Sequence, residues 1–497
     1  MPVHQRLHVP ALTEGGYPDH RSNSSSDASG RARGPHGCSS GRCGSPAGSW
    51  ACRTHRARPS ALHVPAERSS PRGLRVRTLS AQLVDRVEVG ARAAVKRSEP
   101  YTRSMSSGDS DPSSSPLSPS SEQFEVVIAG GGVAGLEAAL ALRDMARERV
   151  ALTIIAPNAD FVHRPTAVLE PFRYGEAQRY PLAKIARDVG ALLVKDSFVW
   201  VDTTARVAHT EMGGQFSYDA LLLALGARAH APYKHALTID DRRMDEIVYG
   251  LILGVEGGYV KSLALVIPGR IAWPLPVYEL ALMTAARASE MSMNLEMTIV
   301  TPEESPLGIF GIGASAAVSD LLREAGITAV TSASAEVPSS GRVLISPGDR
   351  QIEADRIVAL PEVFGPAVRG LPVSDHGFIP VDLHCQVRAT DRVYAAGDAT
   401  DFAVKHGGIA SQQADAAAEA IAALAGTDLA PQPFEAVIRG TLLTGGAPKF
   451  LSARIAGGQG IDSQIADTPS WSPPGKIASK YLAPYLSLAP GSDQVLD

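Results

Sequence analysis

The stretch Val126-Val127-Ile128-Ala129-Gly130-Gly131-Gly132-Val133-Ala134-Gly135 decides the fold of this chain. An apolar run reads as a buried strand, and Leu136 to Arg147, rich in Ala and Leu, reads as the helix that follows it. Between them stands Gly-x-Gly-x-x-Gly. Gly130 permits the tight turn, Gly132 lets a pyrophosphate approach the backbone, and Gly135 lets helix and strand pack closely. The N–H groups at the helix start, at Val133 and Ala134, face the anion. Alone, this motif implies a dinucleotide and no more.

A second segment narrows the choice. Val393-Tyr394-Ala395-Ala396-Gly397-Asp398 is another apolar strand, ending in Gly-Asp. An aspartate placed there can bond a ribityl or ribose hydroxyl while a helix N-terminus receives phosphate. That helix is expected from about Gly407 to Ala425, with Ile409 in its first turn. The pair of segments points to FAD rather than to NAD.

Outward from these motifs the pattern is α/β. A strand at residues 125–129, a helix at 135–147 and a strand at 150–156 make one βαβ unit. A β-rich segment at 192–206 leads to Tyr218-Asp219-Ala220-Leu221-Leu222-Leu223-Ala224-Leu225-Gly226-Ala227, a buried strand ending in small residues. Ala224 and Gly226 let the backbone pass close to a cofactor. A second βαβ unit follows, with strands at 263–267 and 295–300 around a helix at 276–289. The chain then returns through strands at 356–360 and 393–396. The expectation is two Rossmann-like, three-layer nucleotide-binding domains, the second inserted into the first. The boundaries read as 122–240 with 356–430 for the FAD-binding domain, 241–355 for a degenerate NAD(P)-binding-like domain, and 431–497 for a C-terminal cap.

Residues 1–121 differ, being rich in Arg, Ser, Pro and Gly, and read as a disordered, low-complexity extension. Such an acid-poor leader is a transit peptide, an upstream stretch with Met105 as the true start, or disorder without function. The 497 residues suffice for two or three domains, and a formal charge of −5 gives no global pull towards nucleic acid. No apolar run is long enough to span a bilayer. Of four cysteines, Cys38, Cys43 and Cys52 sit in the extension and Cys385 stands alone. That spacing supports neither a metal site nor a disulfide framework, and the expected location is the cytoplasm.

The Gly130–Gly135 turn, the Tyr218–Ala227 strand and the Val393–Asp398 segment together resemble the FAD signatures of the two-dinucleotide-binding-domain flavoproteins, the pyridine nucleotide-disulfide oxidoreductase-like superfamily. Asp398-Ala399-Thr400-Asp401-Phe402-Ala403-Val404-Lys405-His406-Gly407-Gly408 is similar to the branch holding type II NADH dehydrogenases, sulfide:quinone oxidoreductases and flavocytochrome c sulfide dehydrogenases. The resemblance implies non-covalent FAD, with Lys405 near the isoalloxazine and Glu279 close to the flavin; an ordinary solvated helix carboxylate is the competing reading of Glu279. Arg164, where the family's chain passes the flavin pyrophosphate, is expected to supply charge to phosphate. His163 and His406 are either proton donors near the flavin or histidines satisfied by their surroundings.

Three departures stand out. The acid expected after the second strand is replaced by Ile155-Ala156-Pro157-Asn158. The second glycine fingerprint, for NAD(P)H, has become Pro268-Gly269-Arg270-Ile271-Ala272-Trp273-Pro274-Leu275-Pro276, whose prolines remove N–H donors. No cysteine pair exists for sulfide or disulfide chemistry, since Cys385 alone cannot perform it. The expected activity is therefore FAD-dependent electron transfer from a small-molecule donor to an acceptor such as a quinone. NAD(P)H as donor through a remodelled loop, and a non-catalytic flavin-binding redox sensor, are the alternatives. The proline-cut tail, 471–486, is expected to be a lid or a homodimer contact, with peripheral membrane contact the further option.

Overall fold

The computed structural model describes residues 123–269 and 273–488. The extension, with Cys38, Cys43, Cys52 and Met105, lies outside the described residues, as do Arg270, Ile271 and Ala272.

Strand β1 (Phe124–Ala129) runs into helix α1 (Val133–Ala146), and β2 (Val150–Ile155) returns parallel to β1 with Ile128 opposite Ile154. After α2 (Leu182–Asp188) and β3 (Ala191–Val194), strand β4 (Ala220–Leu223) joins the other side of β1, Leu222 opposite Ile128. All four residues of β4 are buried, as expected of a run of Ala and Leu covered on both faces.

A second sheet begins at β5 (Leu237–Thr238). It continues through α3 (Met244–Glu256), β6 (Ser262–Val266), α4 (Leu275–Glu290), β7 (Glu296–Val300), α5 (Ile312–Glu324), β8 (Ile327–Val330) and β9 (Arg356–Ala359). Its order is β5-β9-β6-β7-β8, all parallel. The chain then comes back to the first sheet through β10 (Val393–Ala395), which pairs with β4 and completes the order β10-β4-β1-β2-β3. Helix α6 (Gly407–Leu424) follows. Helices α1 and α6 share one apolar core on the first sheet, with Leu136, Leu142, Ala414, Ala418 and Ile421 packed over Ile128 and Leu222. Val127, Leu221, Leu223 and Ile379 fill the opposite face. The result is a three-layer α/β architecture of the Rossmann type.

Beyond α6 lies an antiparallel meander that the sequence reading did not foresee: β11 (Val437–Leu442), β12 (Lys449–Ala456) and β13 (Gln459–Ala466). It packs on the second sheet's helices through Ile438, Leu442 and Leu451. The tail then runs back across the molecule and ends in the short helix α7 (Leu482–Ser487), with Leu482 and Leu486 sunk into the first sheet's core. Here the tail is a strap against its own chain. Among the described residues no helix is long and apolar enough to cross a membrane, and no cluster of side chains suits a metal ion.

Candidate functional site

The two sequence motifs meet in space. Gly130 has φ +125, and a Cβ on it would lie 2.1 Å from the Ala224 carbonyl oxygen. A Cβ on Gly135 would lie 2.0 Å from the Gly130 oxygen. Both positions therefore require glycine, the first for its backbone angle and both for space. Gly397 has φ +78 and is wedged between the first turns of two helices. A Cβ there would stand 3.1 Å from Ala410 of α6 and 3.4 Å from Ala134 of α1. The Gly397 N–H donates to Gln413 Oε1 of α6 at 2.8 Å. Gly130, Ala134, Gly135, Ala224, Gly397 and Ala410 thus form one seam at the carboxyl ends of β1, β4 and β10.

In front of that seam the backbone is open. Nothing lies within 4 Å of the position a Cβ on Gly132 would take, and the same holds at Gly226. Helix α1 has no side-chain cap and no acidic residue in its first turn, so Val133 and Ala134 present its positive end to the opening. Helix α6, with His406 as its N-cap, is equally uncapped and free of acid in its first turn. Two unopposed helix N-termini beside a glycine cradle fit the pyrophosphate of FAD and the negative charge its ring gains on reduction. The half-buried Asp398 carboxylate fits a sugar hydroxyl. Burial pushes Asp398 up to about 6; Lys405 pulls it down and Asp241 adds to the rise.

The remaining candidates fall around this seam in different ways. Arg164 heads the turn Arg164–Phe172 and pairs with Asp241 at 3.0 Å, both side chains partly exposed, so its guanidinium is engaged beside Asp398's neighbour. Lys405 is buried with its ammonium donating to the Phe402 carbonyl at 2.7 Å and to that of Thr400, over the Phe378 ring. Burial lowers it to about 8, against the pull of Asp398 and Asp401. The Ile409 side chain belongs to the second sheet's core, so only its backbone is available to a ligand.

Glu279 is not a solvated carboxylate. It is 2 % exposed, accepts the Leu443 N–H at 3.0 Å, and is ion-paired with Lys476 of the strap. The same Lys476 charge, after burial, holds His163 and His406 down at about 4. Both imidazoles are therefore neutral at physiological pH, and neither is a cation able to deliver a proton there. The His406 ring lies 4.4 Å from Trp273, and its Nδ1 is buried without a partner. Cys385 is wholly buried, and burial first, then Asp382, raises its thiol. Gln413, Lys476 and Glu137 escaped the sequence reading. A buried carboxylate inside the apolar helix Gly135-Leu136-Glu137-Ala138-Ala139-Leu140 was the one signal available.

Comparison with known proteins agrees with this geometry. The family described as pyridine nucleotide-disulphide oxidoreductase matches residues 278–420. An NADH dehydrogenase-like protein of Mycobacterium tuberculosis is 26% identical over 296 residues, covering 55% of this chain and 72% of that protein. The fold is similar to that of the sulfide:quinone oxidoreductase of Aquifex aeolicus, with TM-score 0.61 and 19% identity over 69% of this chain and 87% of that one. It is also similar to a ferredoxin reductase from Rhodopseudomonas palustris, with TM-score 0.52 and 20% identity over 67% and 83% of the two chains. The seam between the two helix N-termini and these matches together support a member of the pyridine nucleotide-disulphide oxidoreductase superfamily, an FAD-dependent oxidoreductase.

Proposed function

We propose that this flavoprotein takes electrons from a small-molecule donor other than a nicotinamide and passes them to a quinone-like acceptor. The observation that carries the reading is how the second sheet's crevice is used. Glu303 follows β7, where a dinucleotide-binding domain keeps an acidic side chain for a ribose hydroxyl. Here its Oε2 accepts the Tyr278 hydroxyl at 2.6 Å and the Thr301 hydroxyl at 3.0 Å, so it is committed inward. Helix α4, which would meet the pyrophosphate, has Pro274 as its N-cap and Pro276 in its first turn. Both lack the N–H an anion needs. Trp273 lies against His406 and Phe310 rather than leaving a gap.

The acceptor side has support of its own. A cavity of about 960 Å³ opens beside the Gly-Asp segment, lined by Ile309, Leu383, Phe402, Val404, Phe434 and Ile455. Its wall includes Gln413, the side chain that holds the Gly397 N–H. An apolar cavity of this size suits a ring with a hydrophobic tail. Bound FAD supplies the electron transfer itself. The chain's part is to hold the pyrophosphate at Gly132, Val133 and Ala134, to accept a hydroxyl at Asp398, and to balance the charges buried beside the site. The Glu279–Lys476 pair, with His163 and His406 held down at about 4, meets that last need.

In this reading residues 122–240 and 356–430 form the FAD-binding domain, 241–355 its degenerate partner and 431–497 the cap. The chain stands in the branch of type II NADH dehydrogenases and sulfide:quinone oxidoreductases, without their nicotinamide or cysteine chemistry. NADH as donor is the second reading, favoured by the likeness to the mycobacterial NADH dehydrogenase-like protein.

The test is reoxidation of the chemically reduced flavoprotein by a soluble short-chain quinone, followed in the visible absorbance. Rapid reoxidation is expected, slowed about tenfold or more (~1.4 kcal/mol) in Ala403→Trp, which fills the cavity. A flavin that no quinone or dye reoxidises would identify a redox sensor instead.

A further inference from the structure

Two glutamines stand side by side in α6 and use their amides differently. Gln412 engages both ends with backbone. Its Oε1 accepts the Val437 N–H at 2.9 Å, and its Nε2 donates to the carbonyls of Val437 and Gly408 at 2.8 and 2.9 Å. It ties α6 to β11 and has no donor left for a ligand. Gln413 is 1 % exposed, and its oxygen does all the bonding. Oε1 accepts the Gly397 N–H at 2.8 Å, and the Thr400 hydroxyl lies 3.3 Å from it.

Those contacts fix which way the Gln413 amide faces. The Gly397 N–H needs an oxygen opposite it, and a reversed amide would set one donor against another. Nε2 therefore points away from the Gly-Asp turn. Among the described residues it meets no acceptor, yet it is not sealed inside the protein. What Gln413 leaves open is its part in the wall of the cavity of about 960 Å³.

The rest of that wall sets Gln413 apart. Asp382, Arg388, Asp401, Glu435 and Arg454 bring its charges, and all five are exposed, so they stand at the mouth. The remaining side chains around the cavity are apolar. Among the described residues Gln413 is thus the one buried polar side chain on the wall, and it offers a donor. A lone N–H in apolar surroundings favours a ligand that brings an acceptor atom and disfavours one that brings only C–H groups.

We propose that Gln413 selects the acceptor, an inference that rests on the quinone reading of the cavity: its Nε2 donates to a carbonyl oxygen of a flat ring held there. The ring gains two electrons from the reduced flavin and two protons from flavin and water, and leaves as the hydroquinone. Its carbonyl oxygen becomes more negative as the electrons arrive, so the bond from Nε2 strengthens during the transfer. Gln413 itself neither gives nor takes a proton. Through Oε1 the same amide holds Gly397, so one side chain joins the acceptor's cavity to the FAD seam.

The FAD-loaded full chain, reduced with dithionite, is reoxidised anaerobically by a soluble short-chain quinone or by ferricyanide, which has no ring carbonyl. In Gln413→Met the ratio of the quinone rate constant to the ferricyanide one is expected to fall about tenfold or more. A purely structural role through Gly397 would slow both oxidants alike and leave the ratio unmoved. Infrared difference spectra with carbonyl-labelled quinone give a second readout on the oxidised wild type. A carbonyl stretch lowered from its value in hydrocarbon solvent is expected, and the lowering should vanish in Gln413→Met. An unchanged ratio in the variant, or two unshifted carbonyls in the wild type, would overturn the role of Gln413 while leaving the quinone reading in place. A wild-type flavin that ferricyanide reoxidises and the quinone does not would overturn both.

Discussion

Glu279 and Lys476, 197 positions apart in the chain, form an ion pair whose side chains are 2 % and 4 % exposed. Removing one partner of such a pair leaves a buried charge with nothing to balance it. Lys476→Met is expected to destabilise the protein by about 3–5 kcal/mol, whereas Lys476→Met with Glu279→Leu should recover most of that loss. Urea unfolding of the four proteins in the cycle measures both. A single variant as stable as the wild type would show that the pair does not hold the strap.

The glycines of the first turn should separate folding from binding. Gly132→Ala meets no protein atom, so the apo fold should hold to within about 1 kcal/mol. The new methyl points into the opening at α1, and FAD affinity should fall about tenfold or more. Gly130→Ala, strained at φ +125 and clashing with the Ala224 carbonyl, should cost about 3 kcal/mol or more before any ligand is added. Thermal melts of the apo proteins and flavin fluorescence titrations read the two effects. Equal FAD affinity for Gly132→Ala and wild type would place the pyrophosphate elsewhere.

Asp398, pushed up to about 6 by burial, gives the apo protein a pH dependence with a definite sign. Its folded-state pKa lies above its unfolded one. The stability it contributes is therefore full in acid and lost as pH rises from about 4 through about 6. Buried Glu137 and Glu279 act in the same direction, so the comparison is with Asp398→Asn, whose melting temperature should fall less over that window. Parallel profiles for the two proteins would show that Asp398 stays ionised.

Cys385 should be silent. Its thiol is wholly buried and raised by that burial, so the thiolate that alkylating agents need is scarce. Mass spectrometry of the native protein after iodoacetamide is expected to find Cys385 unmodified, and Cys385→Ala is expected to keep the rate of flavin reoxidation. Rapid labelling at this position would reopen thiol chemistry at the flavin.

Most of the first sheet was legible because its signals are local. Glycines at Gly130, Gly132 and Gly135 sit where the turn demands them, and unbroken apolar runs such as Leu221-Leu222-Leu223 mark strands buried on both faces. The last three strands were harder to read. In β13 polar residues occupy half the positions, and its place is set by contact with the Gly308–Phe310 turn, where a Cβ on Gly460 would lie 2.2 Å from the Ile309 oxygen. The strap was illegible for a further reason. Lys476 and Glu137 are ordinary surface residue types until partners hundreds of positions away bury them, and no short-range pattern encodes such a pairing.

Whether the flavin's donor is a nicotinamide is decided by an anaerobic titration of the purified protein with NADH. The yellow flavin bands are expected to persist when NADH is added and to bleach when dithionite follows. Stoichiometric bleaching by NADH would instead make NADH the donor. The committed Glu303 and the proline-bounded start of α4 would then have to open into a working nicotinamide site.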